Sequence, residues 1–385
     1  MGQYEQPFTL KALDSNFNLI ALVAYSNLQW SRKFHEAGIF SVVVNANQYS
    51  TDWKYLYTEK RKEVGKITQV NWVKKKNSTT VTLSGYFLEA ELNNMVCYKK
   101  PTHYYGDSGT KGASIDETSA PSWSTQSGDA DDVAEAFFEA FKSITFTNYD
   151  IGGDTLEQHT YALDIEFGEA ESGNYHESTH NRNNELLGNK LYAILKPSGG
   201  SFEVVFDYLT RKKILNIIIG KDRTWGNTEH NNPVLLSSTN GTLTSASLVT
   251  SVTDTKDAVI QTLNGEDEVI VLANALPNSV GRFVHQEIMA SDTEFASENA
   301  FKMSVMNDAR QTLYDYQDVY NFDFDAEFGS YEYLEDFDLG DLISVNIPEI
   351  GLSADVRIIA CYEVVKNGVW SMSIEVGTPI LRKRG

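Results

Sequence analysis

The feature that most constrains this chain lies near its C-terminus, between Tyr320 and Gly351. There Phe322, Phe324, Ala326 and Phe328 alternate with Asp323, Asp325 and Glu327. Apolar and polar residues that alternate one by one can bury a single face only as a strand. The turn-like Phe337-Asp338-Leu339-Gly340-Asp341 follows, and Leu342 to Ile347 alternates again. Ala354 to Ala360 and Gly368 to Val376 read as two more strands, with Lys366-Asn367-Gly368 as their hairpin signal. Four strands joined by short turns predict a small antiparallel barrel or sandwich. No nucleophile, base or metal cage lies within it.

At 385 residues the chain exceeds what one core usually serves, so two to four domains are expected. A formal charge of −21 argues against a nucleic-acid or anionic-membrane partner, because both would repel the surface. Cys97 and Cys361, the 2 cysteines, each sit in a strand-like run and read as reduced core thiols, with a disulfide between them left open. The first residues carry no basic segment followed by an apolar one, so no signal peptide is expected. Gly2 lacks the Ser or Thr that myristoylation wants, since Gln6 stands there. No stretch approaches the roughly 18 apolar residues of a membrane span. The product is expected to be made and kept in a cytoplasm, or released by lysis.

Taken in order, the chain predicts a β-rich α+β, multi-domain protein: two small antiparallel β-barrels, N- and C-terminal, flanking an α+β middle region. Residues 1–100 form the first β unit, with Lys74-Lys75-Lys76 as a solvated hairpin tip and a short helix beginning near Tyr86. Residues 101–130, rich in Gly, Ser, Thr and Asp, read as an exposed loop. In 131–235 a helix from Asp131 to about Ile144 is capped by Asp129 or Ser127 and buries Val133, Phe137 and Phe141. A second helix runs from about Asn181 to Lys196, and a strand pair flanks Leu209 to Lys212. Residues 236–318 hold short strands and a third helix, 297–316. Residues 319–385 form the second β unit.

The sharpest local motif is His176-Glu177-Ser178-Thr179-His180, an H-E-x-x-H match. Zinc hydrolysis needs both imidazoles on one face of a continuous helix, with the glutamate as base. Here Ser178 or Thr179 reads instead as the cap of the following helix, which would leave one imidazole outside it. Asn183 and Leu186 also stand where the extended motif wants Gly and His. A zinc metallopeptidase is thus an alternative, with Glu185 or Glu203 as nominal third ligand. Asp323, Asp325 and Glu327 read as a solvent-facing strand edge rather than a cation site. The tryptophans in strand-like runs read as core rather than sugar platforms. Neither a nucleophile elbow nor a phosphate loop occurs, so no enzyme and no cofactor are expected.

Four passages in fixed order resemble the baseplate hub, or tail-tip hub, family of tailed phages and phage tail-like particles, closest to hub-like proteins of phages of Gram-positive hosts. They are Thr82 to Glu89, Glu185 to Thr224, Val280 to Glu287, and Asp338 to Val345 with Val356 to Ile359. The resemblance implies a structural homotrimer at the distal end of a virion tail, assembled in the host cytoplasm. Its two barrels per subunit would adapt a sixfold tail tube, or distal tail protein ring, to a threefold spike, fibre or tape-measure end. It also implies no stable nucleic-acid binding and no membrane insertion of its own. Any lytic module of larger relatives is not carried over. An acidic channel wall would keep DNA from adhering, or the charge faces outward. Leu339, Gly340, Asp341 and Leu342 form the structural motif: Gly340 supplies a turn without Cβ, and Asp341 bonds free backbone amides there. The other alternative is a carbohydrate- or receptor-binding tail protein, with Tyr104, Tyr105 and Trp123 lining its site.

Overall fold

The computed structural model describes residues 9–76, 78–98, 112–115, 121–149, 155–251, 256, 258–263, 269–273, 283–288, 319–326, 331–377 and 380–381. Near the N-terminus seven strands form: β1 (Lys11–Leu13), β2 (Leu19–Leu22), β3 (Tyr25–Lys33), β4 (Ile39–Asn45), β5 (Tyr55–Tyr57), β6 (Gly65–Lys75) and β7 (Ser78–Phe87). Alternation builds them. In β4 the side chains of Phe40, Val42 and Val44 are buried while Ile39 and Asn45 are exposed. The β6–β7 hairpin turns where the lysine run was read, and Lys74, Lys75 and Lys76 are all exposed. A 3₁₀ helix, Leu88–Asn94, follows at the expected place.

The strand Leu352–Lys366 changes the picture of two separate barrels. Its first half pairs with Leu342–Ile347, and its second half pairs with both β3 and Val369–Val376. Both ends of the chain therefore share one 13-stranded sheet, and its strand path does not close into a barrel among the described residues. The physical reason is length. Fifteen residues at about 3.3 Å each run roughly 50 Å, more than one small β unit can cover. The strand's inward residues accordingly feed two cores: Val365 joins Trp30, Phe40 and Phe87, while Val356, Ile358 and Cys361 join Phe34, Phe337 and Ile343.

A second correction concerns the strand that opens the C-terminal pattern. Val319–Ala326 pairs antiparallel with Leu243–Ser251 and not with the C-terminal sheet. Period two foretold a strand there but could not name its partner.

A third core holds the middle region together. Helix α1 (Ala130–Phe141) packs on α2 (Leu187–Leu195), and α2 packs in turn on the 3₁₀ helix and on Ser201–Asp207 of the hairpin Ser201–Asp207/Lys212–Ile218. Phe137, Phe138, Phe141, Leu191 and Ile194 are fully buried there, each stabilising by about 1.5–3 kcal/mol relative to exposure. Helix α1 ends before Ile144, which belongs to the strand Ser143–Tyr149. Asp129 sits at the cap position of α1 without a side-chain cap bond, and Ser127 instead meets the Thr179 hydroxyl at 2.9 Å. Helix α2 starts six residues later than expected because Asn184 has a left-handed backbone, φ 60°, which a helix cannot pass through.

The 101–130 segment is not a loop throughout. Gly112–Ile115 and Thr125–Asp129 are strands, and Trp123 packs on Phe137 and Phe141. The helix expected at 297–316 lies outside the described residues. No helix among the described residues is long and apolar enough to cross a membrane.

Candidate functional site at the seam of the two β units

The Leu339–Leu342 turn sits where the two ends of the chain meet. Gly340 has φ +91°, a conformation that L side chains rarely adopt, and a Cβ there would stand 2.4 Å from the Phe34 ring. Its amide donates to the Ile358 carbonyl at 2.9 Å. Asp341 is buried and accepts from the amides of Lys221 (2.7 Å) and Asp338 (2.9 Å) and from Arg223 Nε (2.6 Å). Burial raises its carboxyl above the ordinary range, and these donors oppose that rise without cancelling it. Arg357 Nη1 donates to the Gly340 and Ile219 carbonyls at 2.5 and 2.6 Å. One turn thus ties together the C-terminal sheet, the middle region and Phe34, just beyond β3. Leu339 is buried in the C-terminal core, and Leu342 pairs with Arg357.

Beside the turn runs a buried ionic seam that sequence reading missed. Arg32 of β3 reaches Asp338 Oδ1 at 2.6 Å, the Tyr333 hydroxyl at 2.7 Å and Glu63 Oε2 at 3.2 Å. Arg61 grips both oxygens of Glu363, donating from Nε at 2.8 Å, and lies over the Tyr333 ring. Burial alone would raise the Asp338 carboxyl, but the Arg32 guanidinium and the Leu339 amide outweigh it and hold it low. The pairs Arg32–Asp338 and Arg61–Glu363 join residues some three hundred positions apart, and nothing in the local pattern around Arg32 or Glu363 announces them. Their net contribution to stability is small, whereas removing one partner would strand a buried charge.

The histidine motif takes no catalytic form. Glu177–Asn181 is a strand paired with Thr125–Asp129, not a helix start. His176 precedes the strand and His180 lies within it, and at strand rise the four steps between them span roughly 13 Å of backbone, not the single helical turn that a shared metal needs. His176 is exposed and its amide donates to Ser198 Oγ at 2.9 Å. Burial, with Lys190 nearby, pushes His180 down to about 3, so its ring is neutral. Thr179 is buried within the strand, so neither Ser178 nor Thr179 caps a helix. Among the described residues no group of three or more His, Cys, Asp or Glu is placed to hold a metal ion. The thiols of Cys97 and Cys361 are free and buried, and burial lifts both to about 12.

The aromatic residues divide differently from expectation. Trp30 and Trp53 are core, but Trp72 on β6 is 54% exposed and Trp370 on Val369–Val376 is 42% exposed. Both belong to open strands. Beyond Ile67, β6 has β7 on one side and no described strand on the other; Val369–Val376 pairs only with Leu352–Lys366. Among the described residues the antiparallel run from β6 through β7, β4, β3 and Leu352–Lys366 to Val369–Val376 therefore has two edges without a hydrogen-bonded partner, each bearing a tryptophan, although Val319–Ala326 packs near the second. Trp123 is not available to line a glycan site, being packed on α1. Tyr104 and Tyr105 lie outside the described residues, as do Glu327 and Phe328.

This fold is similar to that of two solved phage tail proteins. The crystal structure of the tail protein from Neisseria meningitidis MC58 matches it at TM-score 0.56 over 96% of each chain, with 12% identity. The 43 kDa tail protein of prophage MuSo2 from Shewanella oneidensis matches at TM-score 0.52, again over 96% of each chain, with 11% identity. The chain belongs to the Siphovirus ReqiPepy6 Gp37-like protein family, whose profile covers residues 9–110 and 177–378. No curated protein matches the chain. Family and fold together meet the resemblance to phage tail proteins drawn from the four passages.

Proposed function

We propose that this chain is a structural hub subunit of a phage tail or tail-like particle. It acts as a homotrimeric ring that adapts a sixfold tube or distal ring to a threefold spike, fibre or tape-measure end. The observation that carries this reading is the fold match to two tail proteins over nearly the whole length of both chains. The two sheet edges support it. Edge strands offer rows of unpaired amides and carbonyls that associate readily with another chain. Two different edges on one subunit make head-to-tail contacts, which close into a ring where the rotation between copies is a third of a turn and into an open filament where it does not close. The N- and C-terminal β units, coupled through Leu352–Lys366, would present paired docking positions, three pairs per ring.

In this reading Leu339, Gly340, Asp341 and Leu342 are a structural lock and contact no substrate. They fix the angle between the two β units, on which equivalence of the docking positions depends. The chemistry is positional, and no bond is made or broken. Sedimentation or native mass measurement of the purified chain, 43.1 kDa per copy, tests the oligomer directly. Three copies are expected. A monomer at all accessible concentrations would overturn the ring.

A further inference from the structure

Two glutamates on one short helix are treated in opposite ways. Glu91 is held by Lys213 and Lys66 at 2.7 and 2.8 Å. Glu89, two residues earlier, has one carboxylate oxygen buried without any partner, and the other meets only the Val204 amide at 3.4 Å. Glu89 lines a small chamber of about 20 Å³, room for one water-sized group, together with the carboxylates of Glu63 and Glu203 and the cations of Arg32 and Lys33, the latter paired with Glu36. Arg32 is already engaged by Glu63 and Asp338, and Lys62 stands 3.8 Å from Glu203 at the rim. The chamber therefore holds more negative than positive charge. Such an imbalance calls for a cation from outside.

The chamber borders a groove of about 420 Å³ that shares Glu203, Val205 and Ile218 with it. Tyr57 and Tyr208 line that groove, and Glu169 and Glu171 add further carboxylates; of its two cations Arg61 is held by Glu363 and Lys62 lies near Glu203, so the groove stays net acidic. The chain's own complement is the β6–β7 tip, where the side chains of Lys74, Lys75 and Lys76 are exposed, on a molecule of net charge −21. Along β6 the tip lies on the order of 30 Å from Glu63 of its own chain, so it cannot reach its own chamber.

We propose that the lysine tip of one copy docks in the acidic groove of the next copy around the ring, with one ammonium group entering the chamber beside Glu89. The tyrosine faces cover the lysine stems, and the carboxylates of Glu169, Glu171 and Glu203 meet the remaining charge. Tip and groove are different surfaces of one subunit, so the contact is head-to-tail and closes a ring where the rotation between copies is a third of a turn. This inference rests on the trimeric reading above.

The test uses the full chain and three variants. Lys74→Glu with Lys75→Glu and Lys76→Glu reverses the tip; Glu169→Lys with Glu171→Lys reverses the exposed rim of the groove; the third variant carries all five changes. Each is checked for unchanged far-UV circular dichroism, then weighed by sedimentation velocity across concentration. The expected result is a trimeric parent, roughly tenfold or greater loss of trimer in either partial reversal, and trimer restored in the five-fold variant. A milder tip, with the three lysines changed to alanine, should weaken the trimer without risk from added acid. If the parent is a trimer and tip reversal leaves it so, the docking is wrong while the trimer stands. Loss of trimer in both reversals without restoration in the combined variant would also overturn it. A parent that is never trimeric overturns this inference and the ring together.

Discussion

Among single residues, Gly340 and Glu89 carry the most. Gly340→Ala would force a Cβ into the Phe34 ring at a backbone angle hostile to it. A loss of about 2–3 kcal/mol in denaturant unfolding is expected, whereas a loss under half a kcal/mol would show that the turn relaxes freely. Glu89 gives a pH signature. Burial, its Val204 amide notwithstanding, and the neighbouring Glu63 and Glu203 carboxylates push it up to about 7. The folded monomer thus binds a proton more tightly than the unfolded chain, so stability is greatest at low pH and falls as pH rises from about 4.5 to 7. Glu89→Gln in the dissociated monomer should be stabilising at pH 8 by roughly 1–3 kcal/mol, a difference fading below pH 5. Thermal melts at the two pH values decide it, and equal melting shifts at both would refute the assignment. Asp338 acts in the opposite sense. Held low chiefly by Arg32 against its burial, it contributes stability above the ordinary carboxylate range that disappears as acid protonates it.

At the scale of elements, open edges matter more than helices. Trp72 and Trp370 are exposed on strands whose outer sides carry no hydrogen-bonded partner among the described residues. Trp72→Ser should change monomer stability by no more than about 0.5 kcal/mol yet weaken self-association in sedimentation. A large loss of monomer stability with association intact would place that ring in the fold and not at an interface. The elements also show what the sequence could display. The hairpin Lys366-Asn367-Gly368 was legible because Asn367 (φ 52°) and Gly368 (φ 80°) have the positive angles that only such residues adopt readily. The hairpin around Leu209 to Lys212 and the lysine tip were legible in the same local way. Partnership was not. Alternation in Phe322 to Ala326 says that a strand exists, but its pairing with Leu243–Ser251 is decided by residues far away. Likewise the H-E-x-x-H spacing says nothing of whether Thr125–Asp129 will capture Glu177–Asn181 as a strand.

For the whole molecule, the β-rich organisation and the phage-tail resemblance could be read from order and composition, while the joining of the two ends could not. Leu352–Lys366 looks like one more alternating strand until its length is compared with the width of either unit. The ionic seam of Arg32, Glu63, Asp338, Arg61 and Glu363 is likewise invisible to local pattern, because each member is an ordinary charged residue until the fold brings them together. Such a seam makes the relation between the two β units a single mechanical property. Arg32→Ala strands Asp338 and Glu63 without their cation and should cost about 3–5 kcal/mol, read as lowered cooperativity or a lower unfolding midpoint. A variant that melts like the parent would mean that the units are joined by the strand alone.

The account stands most directly on where the chain sits in an assembled particle. Electron cryo-microscopy of tails with this protein located in the density should show three copies in one ring at the distal end, between a sixfold layer and a threefold one. Copies spread along the tube, or a single copy off the axis, would contradict it.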